Sequence, residues 1–185
     1  MLALDNETDL IEGCRAGDNA ARQELYTRYA RPMLAVCFRY VGDLDEAHDV
    51  LHDGFVKVFT HFTFRGESTL KTWLTHVMVT QSIDYLRRKK VFAPLDDETL
   101  SQYEPTDEEE NWEEDHRLTQ EVLLGFLAQL PDGCRTVFNL FVMEGKSHKE
   151  IARLMGIREH SSTSQLHRAK ALLAQRIKAY LEECK

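Results

Sequence analysis

Long apolar runs are missing from this sequence. No stretch of its 185 residues approaches the roughly 20 apolar positions that a membrane-spanning helix needs, which excludes an integral helical membrane protein. The first residues carry neither a basic cluster nor an apolar core, so no secretory signal is expected. Proline and glycine are scarce, at four and nine, and strand-like alternation is hard to find, which favours a mostly helical chain. The cysteines Cys14, Cys37, Cys134 and Cys184 lie far apart with no CxxC pair. That spacing argues against a disulfide framework or a zinc site and for free thiols in the cytoplasm. Neither a nucleophile–base pairing, a phosphate-binding glycine motif nor a paired acidic site stands at a recognisable spacing, so neither enzyme chemistry nor a cofactor is expected.

Lysine and arginine are absent from one further place. Residues 91–116 hold 11 Asp or Glu and no basic side chain, whereas residues 1–90 carry 12 basic against 13 acidic and residues 117–185 carry 11 against 7. The formal net charge of −8 is therefore concentrated in one segment, and the C-terminal block is basic by four charges. The segment contains Pro94, Pro105 and the run Asp107-Glu-Glu-Glu-Asn-Trp-Glu-Glu-Asp115. Self-repulsion makes it a poor core former and a linker between two domains. It serves either as a solvated spacer or, with Trp112 docking, as an acidic strand laid over a basic surface.

Periodicity supplies the helices. Leu44, Ala47, Leu51, Phe55, Val58, Phe59 and Phe62 recur mostly three and four apart behind Asp43, a candidate N-cap. After a break at Phe64-Arg-Gly-Glu, Ser68 opens a helix with the stripe Leu70, Trp73, Leu74, Val77, Met78, ending in the basic tetrad Arg87, Arg88, Lys89, Lys90. The stretch from Asn19 to Tyr40 adds Leu25, Tyr29, Met33, Leu34, Val36 and Phe38 to the same core. Downstream, Leu118–Leu130 reads as a helix, and Pro131-Asp-Gly starts another through Phe138, Phe141 and Val142. Ser147 with Glu150 forms a capping-box pattern, Ile151, Ala152 and Leu154 face inward, and Gly156 precedes a last helix ending near Leu181. A short helix, a glycine turn and a longer helix make a helix-turn-helix pattern.

Two groups of residues together resemble a known family. They are Ala47-His-Asp-Val-Leu-His-Asp-Gly-Phe55 with Phe64-Arg-Gly-Glu-Ser-Thr-Leu-Lys-Thr-Trp-Leu74 and Ile83-Asp-Tyr-Leu-Arg-Arg88, and Leu130-Pro with Ser147–Ile157 and Ser164-Gln-Leu-His-Arg-Ala-Lys170. Over about Asp18 to Ala179 the chain resembles the extracytoplasmic-function (ECF) group of the sigma-70 family. The resemblance implies an all-α protein of two small domains: a region 2 helical bundle over 1–90 and a region 4 helix-turn-helix over 117–185, joined by the acidic linker 91–116.

The resemblance also implies a non-catalytic subunit that binds bacterial core RNA polymerase through its β′ clamp helices and β flap. Such a subunit recognises the −35 and −10 promoter elements, nucleates melting, and is commonly silenced by an anti-sigma factor. Asp49, His52 and Asp53 occupy the polymerase-docking positions. Arg65, Gly66, Lys71, His76, Thr80 and Asp84 occupy those that capture a flipped −10 base, with Arg87, Arg88, Lys89 and Lys90 on phosphate. Thr163, Ser164, His167 and Arg168 occupy the −35-reading positions, and Lys149, Arg153, Arg158 and Lys170 position phosphates. Thr80, His160 and Thr163 stand where the family commonly has asparagine, glycine and a basic residue. Read from residues alone, the alternative for the outward face of the helix after Asp43 is a solvated surface, and His48 with His52, lacking a third ligand at diagnostic spacing, are not expected to bind a metal. Trp73 reads as core. A conventional helix-turn-helix repressor is the runner-up, but it has no need of the Phe64–Lys90 constellation.

Overall fold

The computed structural model describes residues 6–89 and 118–183; Lys90, the acidic linker with Trp112, and Cys184 lie outside the described residues. Every described element is helical. The chain divides into two compact units, Met1–Tyr85 and Leu86–Lys185.

The first unit is built from α1 (Glu7–Ala16), α2 (Asn19–Val41), α3 (Leu44–Thr60) and most of α4 (Leu70–Arg88). Polar caps fix where each begins. Asn6 accepts from Thr8 N, Asp18 from Ala20 N at 2.9 Å, and Asp43 from Glu46 N at 3.0 Å, satisfying amides that have no partner within the helix. Helix α4 starts at Leu70, later than the expected opening at Ser68, because the Thr69 hydroxyl takes the Thr72 amide at 3.1 Å. Helix α1 was not expected at all; it buries Leu10 and Cys14 against α2.

The core of this unit contains Leu25, Met33, Cys37, Ala47, Val50, Leu51, Phe55, Val58, Leu70, Leu74 and Met78. Burial pushes the Cys37 thiol up to about 12, so it behaves as a small apolar side chain. Gly54 allows α3 and α4 to approach closely: a Cβ there would lie 2.4 Å from Met78 Sδ. Leu44, expected in the stripe, is 54% exposed, since it is the first residue of α3 and lies beyond the covered face.

The second unit holds α5 (Gln120–Ala128), α6 (Asp132–Phe138), a π-helical turn over Asn139–Met143, α7 (His148–Met155) and α8 (Glu159–Glu183). Leu127, Leu130, Cys134 and Ala169 form a buried cluster. Helix α5 begins at Gln120 rather than Leu118, because Thr119 accepts from Val122 N at 3.3 Å. Arg135, 2% exposed, donates to the carbonyls of Ala128 at 3.0 Å and Leu130 at 2.8 Å and pairs with Asp132, tying the end of α5 to the start of α6. The helix expected through Phe138, Phe141 and Val142 becomes a π-helical turn from Asn139, which widens it, and Val142 is 49% exposed. On α8, Ser162 and Gln165 are buried beside Leu166 and Ala169, while Leu173, Ile177 and Tyr180 are half-covered.

Candidate nucleic-acid interface

In the first unit the connection from α3 to α4 makes a pocket of about 290 Å³, lined by Thr63, Phe64, Arg65, Glu67, Ser68 and Trp73. Phe64 and Trp73 form its aromatic wall, their ring centroids 5.5 Å apart, and Phe62 packs against Trp73 at 5.3 Å. Trp73 is thus only half-buried, packing on the core while its remaining surface lines the pocket. Gly66 adopts φ +79 with open space around it, a conformation that strains any residue with a Cβ and brings Arg65 and Glu67 to the rim. A cation, a carboxylate and two hydroxyls around an aromatic wall suit one planar, polar-edged group.

Helix α4 carries the next expected residues. Lys71, His76 and Thr80 are exposed, and Asp84 is half-buried with a polar partner. At about 100° per residue His76 and Thr80 share one side of the helix with Asp84 beside them, while Lys71 points roughly opposite Thr80. The helix therefore groups three of these four and leaves Lys71 apart. The Thr80 hydroxyl donates to the His76 carbonyl at 2.8 Å, as Ser82 does to Met78 at 2.8 Å, which anchors both short side chains to the helix. Arg87, Arg88 and Lys89 are exposed at the C-terminal end.

On α3, Asp49, His52 and Asp53 are exposed together. Spacings of three, four and seven from Asp49 put Val56, 50% exposed, on the same face. Sequence reading missed Val56, although its period with Asp49 was a usable signal. Among the described residues no group of three His, Cys, Asp or Glu is arranged to hold a metal ion.

In the second unit α7 and α8 form the helix-turn-helix. The capping box is complete: Ser147 N donates to Glu150 Oε2 at 2.9 Å, and Glu150 N donates to Ser147 Oγ at 3.4 Å. Hydrogen bonds from the Ser147 side chain and backbone hold the Glu150 carboxyl below the usual carboxylate range. Gly156 ends α7 with φ 72. Lys149, Arg153, Arg158, His167 and Lys170 are exposed, and Thr163, Ser164 and Arg168 are half-buried. Thr163 and Ser164 donate to the carbonyls of Glu159 and His160 at 3.3 and 3.1 Å.

One residue missed in the sequence sits between the two helices. His148 Nδ1 shares a 2.9 Å hydrogen bond with Ser162 Oγ, and its ring stacks on Phe141 at 4.8 Å. Ser162 is fully buried, so this bond sets one polar contact at the α7–α8 junction.

The sequence has counterparts among known proteins. Residues 25–91 match the family described as Sigma-70 region 2, and residues 120–173 match Sigma-70, region 4. The chain is 26% identical to the RNA polymerase sigma-H factor of Pseudomonas aeruginosa, over 99% of this chain and 100% of the relative. It is 27% identical to the ECF RNA polymerase sigma factor SigM of Bacillus subtilis, over 84% of this chain and 92% of the relative. It is also 27% identical to the ECF RNA polymerase sigma-E factor of Haemophilus influenzae, over 91% and 93%. A solved structure of the sigma factor RpoE in complex with the anti-sigma factor NepR from Bartonella quintana aligns with 84% of this chain and 96% of that chain, at 17% identity and a TM-score of 0.48. Regions 2 and 4 occur here in order on one chain, with relatives matched along nearly all of their length, and the chain belongs to the sigma-70 family, within its ECF group.

Proposed function

We propose how this sigma factor divides promoter recognition and transcription initiation between its parts. Residues 1–90 form the −10 module. Asp49, His52 and Asp53, with Val56 among them, dock on the β′ clamp helices of core polymerase, where a mixed polar and apolar face exchanges solvent for a partner. The loop carrying Arg65 and Gly66 takes one unstacked base of the opened strand against the Trp73–Phe64 wall. His76, Thr80 and Asp84 contact neighbouring nucleotides, and Lys71 reaches the strand from the other side of α4. Arg87, Arg88, Lys89 and Lys90 neutralise phosphates.

Residues 117–185 form the −35 module, held near the β flap. Thr163, Ser164, His167 and Arg168 read base edges in the major groove, while Lys149, Arg153, Arg158 and Lys170 set the register on phosphates. The acidic linker 91–116 joins the two. The subunit has no catalytic site of its own, works in the cytoplasm, and is held inactive by an anti-sigma factor, as the family resemblance implies. Among the described residues no helix is long and apolar enough to cross a membrane.

The observation that carries this division is the aromatic-walled pocket beside Arg65 and Gly66, on the same chain as a capped helix-turn-helix. Run-off transcription from a promoter pool, with bacterial core polymerase in the presence and absence of the protein, tests it. New starts that share spaced −35 and −10 sequences are expected only with the protein. Starts sharing a −35 sequence alone would remove the −10 role of the pocket.

A further inference from the structure

The pocket depends on a loop, and the loop is held from an unexpected side. Arg15, near the end of α1, donates from Nη2 to the main-chain carbonyl of Phe64 at 3.2 Å. Arg22, in the first turns of α2, donates from Nη2 to the carbonyl of Phe59 at 3.1 Å, and its guanidinium lies 6.0 Å from the centre of the Phe59 ring. Phe59 is in the last turn of α3, whose carbonyls have no partner within the helix, and Phe64 lines the pocket. Two cations from the α1–α2 corner thus fasten both ends of the segment 59–64. Neither arginine belongs to the stretch that matches region 2, which begins at residue 25.

We propose that Arg15 and Arg22 are positioning residues for −10 recognition: they hold the loop from Phe59 to Phe64 so that the pocket is formed before a base enters. This rests on reading the pocket as the base-capturing site. A loop that must be ordered at the moment of binding loses affinity to conformational entropy, whereas a preorganised loop does not. The loss falls on the base that fits, because a base that does not fill the pocket gains nothing from its shape. Arginine suits the task, since its fork of several donors can reach main-chain oxygens of a neighbouring segment.

The test uses the full chain assembled with core polymerase and a single-stranded oligonucleotide bearing the −10 sequence found by run-off transcription. The readout is the ratio of affinities for that oligonucleotide and for versions with one −10 base replaced. Arg15→Ala and Arg22→Ala are each expected to lower the ratio about 5- to 10-fold at the captured position. Affinity for core polymerase and the melting temperature should change little. Arg15→Lys and Arg22→Lys, which keep the charge and one donor, are expected to recover part of the ratio and guard against a folding defect in the alanine variants. Arg65→Ala, at the pocket rim, separates the two levels of the argument. If it lowers the ratio while neither alanine variant does, the positioning role is overturned and the pocket stands. If Arg65→Ala also leaves the ratio unchanged, the reading of the pocket falls, and the positioning role with it. Equal loss for matched and mismatched oligonucleotides, in step with weaker core binding, would reduce the arginines to general supports and overturn the proposal.

Discussion

A single glycine sets the spacing of α3 and α4. Gly54→Ala would place a methyl carbon 2.4 Å from Met78 Sδ and 2.9 Å from its methyl group. The sulfur chain can shift, but it is fully buried in a filled core, so overpacking is expected to cost about 1–3 kcal/mol. A lower urea midpoint with an unchanged slope would show it; an unchanged midpoint would mean that Met78 repacks freely. At the same scale, His148 and Ser162 form one unit. His148→Phe keeps the stack on Phe141 and loses the hydrogen bond, and Ser162→Ala loses the hydroxyl. Each is expected to reduce transcription from promoters that need the −35 element, with the double variant no worse than the poorer single one. Additive losses would show that the two residues act separately.

Helix α7 depends on its start. The pKa of Glu150 is lowered by hydrogen bonds from Ser147, so the box contributes stability above the normal glutamate range and loses it as pH falls through that lowered value. Ser147→Ala should therefore melt below the parent chain at neutral pH, and the gap should narrow once the carboxyl is protonated, leaving the part due to the Glu150 N–H bond to the Ser147 hydroxyl. A gap independent of pH would mean that the hydroxyl, not the carboxylate, carries the cap. Such starts were legible in the sequence, because Asp43 and Ser147 stand just before periodic apolar residues. Helix α1 was not, since its ten residues bury only Leu10 and Cys14, and a lone cysteine does not advertise itself as core. Nor was the π-helical turn, where widening of the helix decides that Val142 faces out. The glycine loop was readable as a place for a base, but its aromatic wall joins Phe64 and Trp73 across a change of element. The Arg15 and Arg22 bonds left no trace, because their acceptors are main-chain oxygens common to every residue.

Across the whole chain, charge governs when DNA is bound. With a net of −8, of which the linker supplies more than all, the isolated protein is expected to bind duplex DNA weakly and to need polymerase for specific binding. Gel-shift titration at low and moderate salt checks this, and tight, salt-resistant binding by the protein alone would contradict it. Replacing the linker acids by their amides should strengthen the weak binding, whether they merely repel DNA or cover a basic surface. The α1–α2 corner has a consequence for how such proteins can be recombined. A hybrid cut where the family match begins, at residue 25, would transplant the loop without the helix that buries Leu10 and without either arginine that fastens it. The portable piece starts at the Asn6 cap, and promoter preference should travel faithfully between chassis only when those first turns travel too.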